Sequence, residues 1–453
     1  MNFLKRNLSI SGILLLHLFI LLTLKYTAWP EMLAYPYLLS RGFRFYEDIV
    51  HPYLPLLPYL VLGVSQITGF TVVTLQIITY LTLFFSDMIV WKIVRQWFSQ
   101  RGAILTLIGY VWFTSVFDGN GLWFDLFLTP FLIVSWYLCS QYLRFRRLET
   151  LYQASLILGL ATLIKQTAVI FEVLVLILAF RKKSLRSVLY AVVIFLIPFL
   201  VGMVLFSFAA VWKWGIVFPF TAISHLPGYI LYPSVKQLIY LFLTFSPVLF
   251  WLKIKDHRVL LIGCWFLFSL VFLFPRFDYF HLQPALPFFV IGTAFVVSKL
   301  KKNLLFYIMS VVYLLLIVGL GIRTFSKNFN QPPRFFSSGT YVVGSYLDSL
   351  LPNDEPIFFY NTPANFFVAA TLLPVKPWVD NFPWYMELPM MQEQLVAALE
   401  SNKVRLVVFT EFGSGKKYEP CTYKPDVLDQ YIKNNFIPES SVTEQIKVLR
   451  RIP

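Results

Sequence analysis

The sequence predicts a polytopic α-helical membrane protein of about 11 transmembrane helices with a small C-terminal external α/β domain. Three observations carry that expectation. Of 453 residues, 58% are hydrophobic and only 13% charged, with 47 Phe, 25 Tyr and 12 Trp, more apolar surface than a water-soluble core can hide. The Lys and Arg residues fall in short clusters between long apolar runs. After Arg323 the long apolar runs stop, and Pro, Asn, Ser and charged residues become common.

Apolar runs bounded by charge lie at 8–24, 71–93, 103–117, 122–141, 152–164, 167–181, 187–208, 235–253, 258–274, 283–298 and 303–322. The first has a basic head and no small-residue cleavage site, so it reads as an uncleaved first span. Two pairs of short runs, broken at Asp118-Asn120 and at Lys165-Gln166, read as spans or as re-entrant hairpins. If the spans alternate, the clusters Lys5-Arg6, Lys92-Arg95-Arg101, Arg144-Arg146-Arg147, Arg181-Lys182-Lys183-Arg186, Lys253-Lys255-Arg258 and Lys299-Lys301-Lys302 share one side, expected to be the cytoplasm. This parity makes 53–70 an interfacial or re-entrant helix that returns the first external loop, 25–70, to the membrane. It also places the first loop, Asp118-Asp125, Lys165, His225 and Arg276-His281 on the external side, able to converge on one cavity. The expected domains are therefore 1–325 in the membrane and 326–453 outside it. Within the latter, β-type runs at 356–360 and 404–409 alternate with helical patterns at 341–351 and 390–401.

The net charge of +15 is spent on orientation, so nucleic acid is excluded as a partner. Cys139, Cys264 and Cys421 are too dispersed for a disulfide framework or a Cys-based metal site.

The chemistry concentrates in the segment KYTAWPEMLAYPYLLSRGFRFYEDIVHP, where three carboxylates, two arginines and a histidine lie among aromatic residues. Glu31, just past the first span among Trp29, Tyr35 and Tyr37, is a candidate general base or a solvated loop carboxylate. Asp48, beside Glu47 and three residues before His51, fits metal binding, acceptance of a substrate proton, or local loop hydrogen bonding. Asp118, Asn120 and Asp125 in FDGNGLWFD are costly at the edge of lipid unless they face a polar cavity, although DGNG is also turn and capping chemistry. Lys165, next to Gln166 inside ATLIKQTAVI, either snorkels or binds a phosphate. In PRFDYFHLQPALP, Arg276 offers a phosphate fork, and Tyr279 and His281 lie beside it, though an interfacial aromatic anchor has the same composition.

At these residues the chain resembles the GT-C superfamily of integral membrane glycosyltransferases, which includes the protein O-mannosyltransferase and aminoarabinose transferase families. The resemblance runs through Glu31 in WPEM, then Gly42, Tyr46, Asp48, His51 and Pro52 in a G-x-x-x-Y-x-D-x-x-H-P run. It continues through the acidic second external turn, GLATLIKQT, DYFHLQPALP and the external tail. It implies a GT-C fold, a first-loop carboxylate as catalyst, a sugar donor on a polyprenyl phosphate or pyrophosphate, and inversion at the anomeric carbon. Pro30 replaces the acidic residue that many relatives carry before Glu31, which leaves the base open between Glu31 and Asp48. Tyr-Leu-Pro-Leu follows His51-Pro52 where the mannosyltransferases have Pro-Leu, so acceptor specificity does not carry over.

The expected activity is sugar transfer from a polyprenyl-phosphate donor to a glycan, lipid or protein acceptor at the outer face of a bacterial plasma membrane. Tyr46, His51, Asp118, Asn120, Asp125, Lys165, Gln166, Arg276, Tyr279 and His281 are the expected substrate contacts. A divalent cation is a candidate cofactor, with Asp48, Asp118 and Asp125 as candidate ligands. A flippase for lipid-linked intermediates is the rival, though its charges would sit nearer the membrane midplane.

Overall fold

The computed structural model describes residues 2–181, 184–205, 207–221, 226, 229–300, 303–351, 355–379, 383–410, 424–444 and 446–453. His225 and Cys421, read above, lie outside the described residues.

The chain divides into two compact units, one built from 1–27, 76–205 and 232–331, the other from 28–75, 206–231 and 332–453. Every one of the eleven expected apolar runs is helical. In chain order the helices begin with α1 (Asn2–Thr23), α2 (Pro30–Ser40), α3 (Leu56–Thr68), α4 (Val72–Trp97), α5 (Gln100–Val116), α6 (Phe124–Phe145), α7 (Leu148–Thr162), α8 (Val169–Phe180) and α9 (Leu185–Leu205). They continue with α10 (Phe208–Val211), α11 (Phe218–Thr221), α12 (Val235–Phe245), α13 (His257–Ser269), α14 (Leu286–Lys299) and α15 (Leu304–Asn328). Among the described residues, five segments are long and apolar enough to cross a bilayer: Val72–Trp97, Phe124–Phe145, Leu185–Met203, Val235–Lys253 and Leu304–Asn328. Shorter apolar helices include Ile10–Thr23, Gln166–Phe180, His257–Leu273 and Leu286–Lys299.

In the first unit α6 packs on α7, α7 on α8 and α9, and α14 on α5 and α13. Gly159 permits the close approach of α7 and α9, since a Cβ there would meet the Phe195 carbonyl oxygen at 2.3 Å. Trp136, Trp265, Phe171, Phe272, Phe288 and Phe289 fill the interior as fully buried rings. By contrast α15 turns Leu304, Leu305, Ile308, Val312, Leu315 and Ile322 outward as exposed apolar side chains, a surface that calls for lipid. Helix starts are set by side-chain caps: Ser99 accepts from Gly102 N, Ser234 and Gln237 form a reciprocal capping box, and Asn303 accepts from Phe306 N.

In the second unit, α2 carries the first-loop sequence and packs against α3 and against α17 (Asn365–Ala369), which α16 (Ser338–Leu350) covers. The α/β part adds α18 (Met391–Ser401), α19 (Asp426–Asn435) and a four-stranded sheet of β1 (Phe358–Tyr360), β2 (Leu406–Thr410), β3 (Phe436–Ser441) and β4 (Ile446–Arg451). The sheet order is β1-β2-β4-β3. The β1/β2 pair is parallel and the other two pairs are antiparallel. The apolar runs FFY and LVVFT form the buried parallel pair, while Pro438 sits in the exposed edge strand beside a register shift, where its missing N–H is tolerated.

Candidate active site

The chemistry of the first unit centres on Asp125. The break between α5 and α6 that FDGNGLWFD makes is a clasp on the end of α1. Asp118 adopts a φ of +54°, and a Cβ on Gly119 or Gly121 would lie 2.5 Å from Thr114 O or 2.6 Å from Thr27 O. Asn120 Nδ2 donates to Leu21 O and Leu24 O at 2.9 Å each, and Asn120 O accepts from Thr27 N at 2.8 Å. Asn120 thus works on the backbone of the first span. Gln283, which the sequence did not flag, ties the same turn down by donating to Phe117 O at 2.6 Å.

The clasp delivers Asp125 to the first turn of α6, fully buried, where the positive end of the helix dipole suits a carboxylate. Lys165, in the break between α7 and α8, donates to Asp125 Oδ1 at 2.8 Å and to Oδ2 at 3.0 Å. The Lys165 ammonium also lies 5.0 Å above the Phe272 ring. His281 Nδ1 is 2.7 Å from Asp125 Oδ2, in a 3₁₀ turn whose start Asp278 caps by accepting from Tyr279 N at 2.6 Å. Burial pushes the His281 imidazole below its usual range, and Lys165 acts the same way against the opposing pull of Asp125. A neutral imidazole in this position donates Nδ1–H to Asp125 and presents Nε2 as an acceptor. Gln166 is buried at the adjoining turn.

A second cluster of the same unit contains Tyr279, whose ring is 5.6 Å from Tyr240 and 5.8 Å from Phe117. Burial raises the Tyr279 phenol, Asp278 and Asp118 add to that, and Arg323 opposes it. Asp118 therefore belongs with Tyr279 and Arg323, while Asp125 belongs with Lys165 and His281. Arg276 is partly exposed.

In the second unit, Glu31 lies in the first turn of α2 and is 5% exposed, set at the helix N-terminus by Pro30 at the first helical position. The chain leaves α2 through Gly42, at φ +81°, into a tight turn with Tyr46 at φ +69°. Asp48 closes that turn: its Oδ2 accepts from Arg44 N at 2.9 Å, and its own N–H donates to Arg44 O at 2.9 Å. Lys376 Nζ meets the same Oδ2 at 3.1 Å. Tyr46 donates its hydroxyl to Tyr53 O at 2.8 Å, and burial raises its phenol well above the usual range. His51 is buried, stacked on Phe45 at 4.3 Å and edge-on to Tyr35 at 5.6 Å. Burial pushes its imidazole down to about 3, against a weaker upward pull from a Leu54 backbone hydrogen bond.

Among the described residues, no three His, Cys, Asp or Glu side chains converge as a ligand set for a metal ion. Of the three candidate ligands, Asp48 is engaged by Lys376, Asp118 acts electrostatically on Tyr279 and Tyr240, and Asp125 is committed to Lys165 and His281.

Lys376 escaped the sequence reading, and so did two buried pairs in the first unit: His17 with Asp87 at 2.6 Å, and Ser155 donating to Glu172 at 2.7 Å. The signal for the pairs was present, since His17, Asp87 and Glu172 each interrupt an apolar run. Lys376 lies between Val375 and Pro377 in TLLPVKPWV, after the last long apolar run, and nothing local ties it to the first loop.

Residues 50–212 match the family model for dolichyl-phosphate-mannose-protein mannosyltransferases. No curated protein matches the chain. Among solved structures, the chain is similar to ArnT from Cupriavidus metallidurans bound to undecaprenyl phosphate, with a TM-score of 0.61 and 12% identity over 98% of this chain and 97% of that one. The apo state of the same ArnT gives a TM-score of 0.61 and 11% identity over 100% and 99%. The archaeal oligosaccharyltransferase AglB from Archaeoglobus fulgidus, in complex with an inhibitory peptide and a dolichol-phosphate, gives 0.50 and 10% over 88% and 69%. The fold is therefore that of ArnT, a polytopic helical membrane architecture with a small strand-containing C-terminal region. The match over residues 50–212 and the ArnT-like fold agree with the resemblance to GT-C membrane glycosyltransferases.

Proposed function

We propose that this chain transfers a sugar from a polyprenyl-phosphate-linked donor to a glycan, lipid or protein acceptor at the external face of a bacterial plasma membrane, with inversion of the anomeric centre. The observation that carries the reading is a buried carboxylate, Glu31, held at a helix start in the first loop of a GT-C fold. A polyprenyl phosphate in the matched ArnT structure and a dolichol-phosphate in that of AglB support the donor class.

Glu31 is assigned as the general base that takes the proton from the acceptor nucleophile, and its burial favours that assignment over a solvated loop carboxylate. Asp48 is assigned to shaping the loop, because its Oδ2 is already shared by Arg44 N–H and Lys376. Arg276 and Lys165 are assigned to the donor phosphate. Asp125 holds Lys165 and orients His281, whose Nε2 then faces outward from the pair as a substrate contact. Tyr46 and His51 are assigned to shaping the first loop, Asn120 and Gln166 to shaping the turns beside Asp125 and Lys165, and Asp118 to acting with Tyr279. The N-terminus is assigned to the cytoplasm and the C-terminal domain to the outside.

The test is transfer from a panel of polyprenyl-phosphate sugars by the protein in lipid, with and without chelator. Glu31→Gln is expected to lower turnover by about 10²- to 10⁴-fold with donor binding kept, and Asp48→Asn by distinctly less. Equal small losses in both variants overturn the base assignment. Failure of wild-type protein to consume any donor overturns the enzyme reading in favour of a flippase.

A further inference from the structure

We infer that Lys376 is a positioning residue for the acidic turn of the first loop, so that the segment 374–379 near the C-terminal sheet is part of the site machinery. The kinetic half of this inference rests on the transfer reading above; the structural half does not.

Three acceptors meet the Lys376 ammonium. Its Nζ is 3.1 Å from Asp48 Oδ2, 3.2 Å from Gly42 O and 4.2 Å above the Phe43 ring. The cation therefore closes both ends of the 42–48 turn at once. Backbone contacts reinforce it from the same segment: Val379 N donates to Asp48 O at 2.7 Å, and Val50 N donates to Val379 O at 3.4 Å. Trp378 anchors the segment from the other side, its indole 5.6 Å from that of Trp214 and its Nε1 donating to Gln394.

The turn needs this help. Gly42 and Tyr46 both adopt left-handed φ values, +81° and +69°, a conformation that Tyr does not favour by itself. The Arg44 guanidinium is paired with Glu47 at 3.1 Å, and among the described residues Lys376 is the side-chain cation paired with Asp48. The Lys376 side chain is 43% exposed and that of Asp48 16%, so the pair adds little to global stability. Its effect is geometric: the Asp48 carboxylate stays doubly engaged, by Arg44 N–H and by Lys376, and the chain that follows to His51 and Pro52 leaves the turn in one direction. A site held within fractions of an ångström reacts strongly to the loss of such a support.

The experiment uses full-length protein in lipid nanodiscs and two readouts, hydrogen exchange of the 42–50 backbone and steady-state transfer. In Lys376→Gln, which keeps a donor for Gly42 but no cation for Asp48, exchange of 42–50 is expected to rise roughly five-fold. Turnover is expected to fall about 10- to 100-fold while the donor KM stays within about two-fold. Lys376→Arg is expected to recover most of both. Unchanged exchange in Lys376→Gln overturns the inference, as does a raised KM at unchanged turnover, which would mark Lys376 as a direct donor contact. Should wild-type protein transfer no sugar, the transfer reading falls and the exchange comparison alone still decides whether Lys376 holds the turn.

Discussion

Burial of single ionisable residues makes the protein sensitive to acid in a way that can be assigned. His51 is neutral in the folded protein, its imidazole held near 3 by burial, whereas an unfolded chain would take up a proton near 6.5. Above the unfolded value the group costs nothing. As pH falls below it, only the unfolded state gains a proton, so stability falls by about 1.4 kcal/mol per pH unit until the folded value is reached. Between pH 7 and pH 5 this amounts to about 2 kcal/mol, and replacing His51 by Phe should remove that part of the slope. Thermal unfolding of wild type and His51→Phe in detergent at the two pH values measures it; parallel slopes would refute the assignment. The pair Lys165 and Asp125 behaves differently, because both partners are buried and hydrogen-bonded. Asp125→Asn strands a buried ammonium and is expected to cost about 3–5 kcal/mol, and Asp125→Asn with Lys165→Met to cost clearly less. A double-mutant cycle in thermal stability reads that coupling. Both side chains were visible in the sequence as polar intruders in apolar runs. Their pairing was not, since forty residues separate them and a further 116 lie between Lys165 and His281.

At the scale of elements, the turn between α5 and α6 was legible as a break and illegible as a clasp. DGNG reads locally as turn chemistry, and the structure agrees with that half of the reading. What local pattern cannot reveal is that Asn120 reaches carbonyls 96 and 99 residues earlier, or that Gly121 is pressed onto Thr27. Asn120→Ala leaves the Leu21 and Leu24 carbonyls without this donor at the end of α1 and is expected to cost about 1–3 kcal/mol. Gly121→Ala forces a Cβ to within 2.6 Å of backbone and is expected to cost about as much through strain. Lower melting temperatures in both variants would place the clasp in the frame of the membrane unit; an unchanged Asn120→Ala would return Asn120 to the list of substrate contacts. The strands β1 and β2 and the helices α16 and α18 of the C-terminal region were legible within a few residues, because the short apolar runs PIFFY and VRLVVF lie between clear helical patterns, whereas α17, α19, β3 and β4 were not foreseen. The engagement of residues 376–379 with the first loop was beyond reach, since it depends on backbone hydrogen bonds across more than 300 residues.

For the whole molecule, composition alone determined that lipid is the solvent, and the exposed apolar faces of α9, α12 and α15 carry the same requirement into three dimensions. Which face of the membrane receives each loop is decided by charge, because short basic loops resist translocation and stay in the cytoplasm. The clusters between apolar runs therefore predict a definite asymmetry. Arg101, in the cluster spanning the end of α4 and the start of α5, is exposed, and so is Ser349, near the end of α16 in the region after the last long apolar run. In a background without native cysteines, Ser349→Cys is expected to react with a membrane-impermeant maleimide added to intact cells. Arg101→Cys is expected to react only after the membrane is opened. The result bears on chemistry as well as topology: under the proposed function a polyprenyl-phosphate donor reaches the site from one leaflet, and the orientation expected from the basic clusters puts that leaflet opposite Arg101. Labelling of Arg101→Cys from outside would invert the orientation, place the first loop and the α16 region in the cytoplasm, and replace an envelope acceptor with a cytoplasmic one.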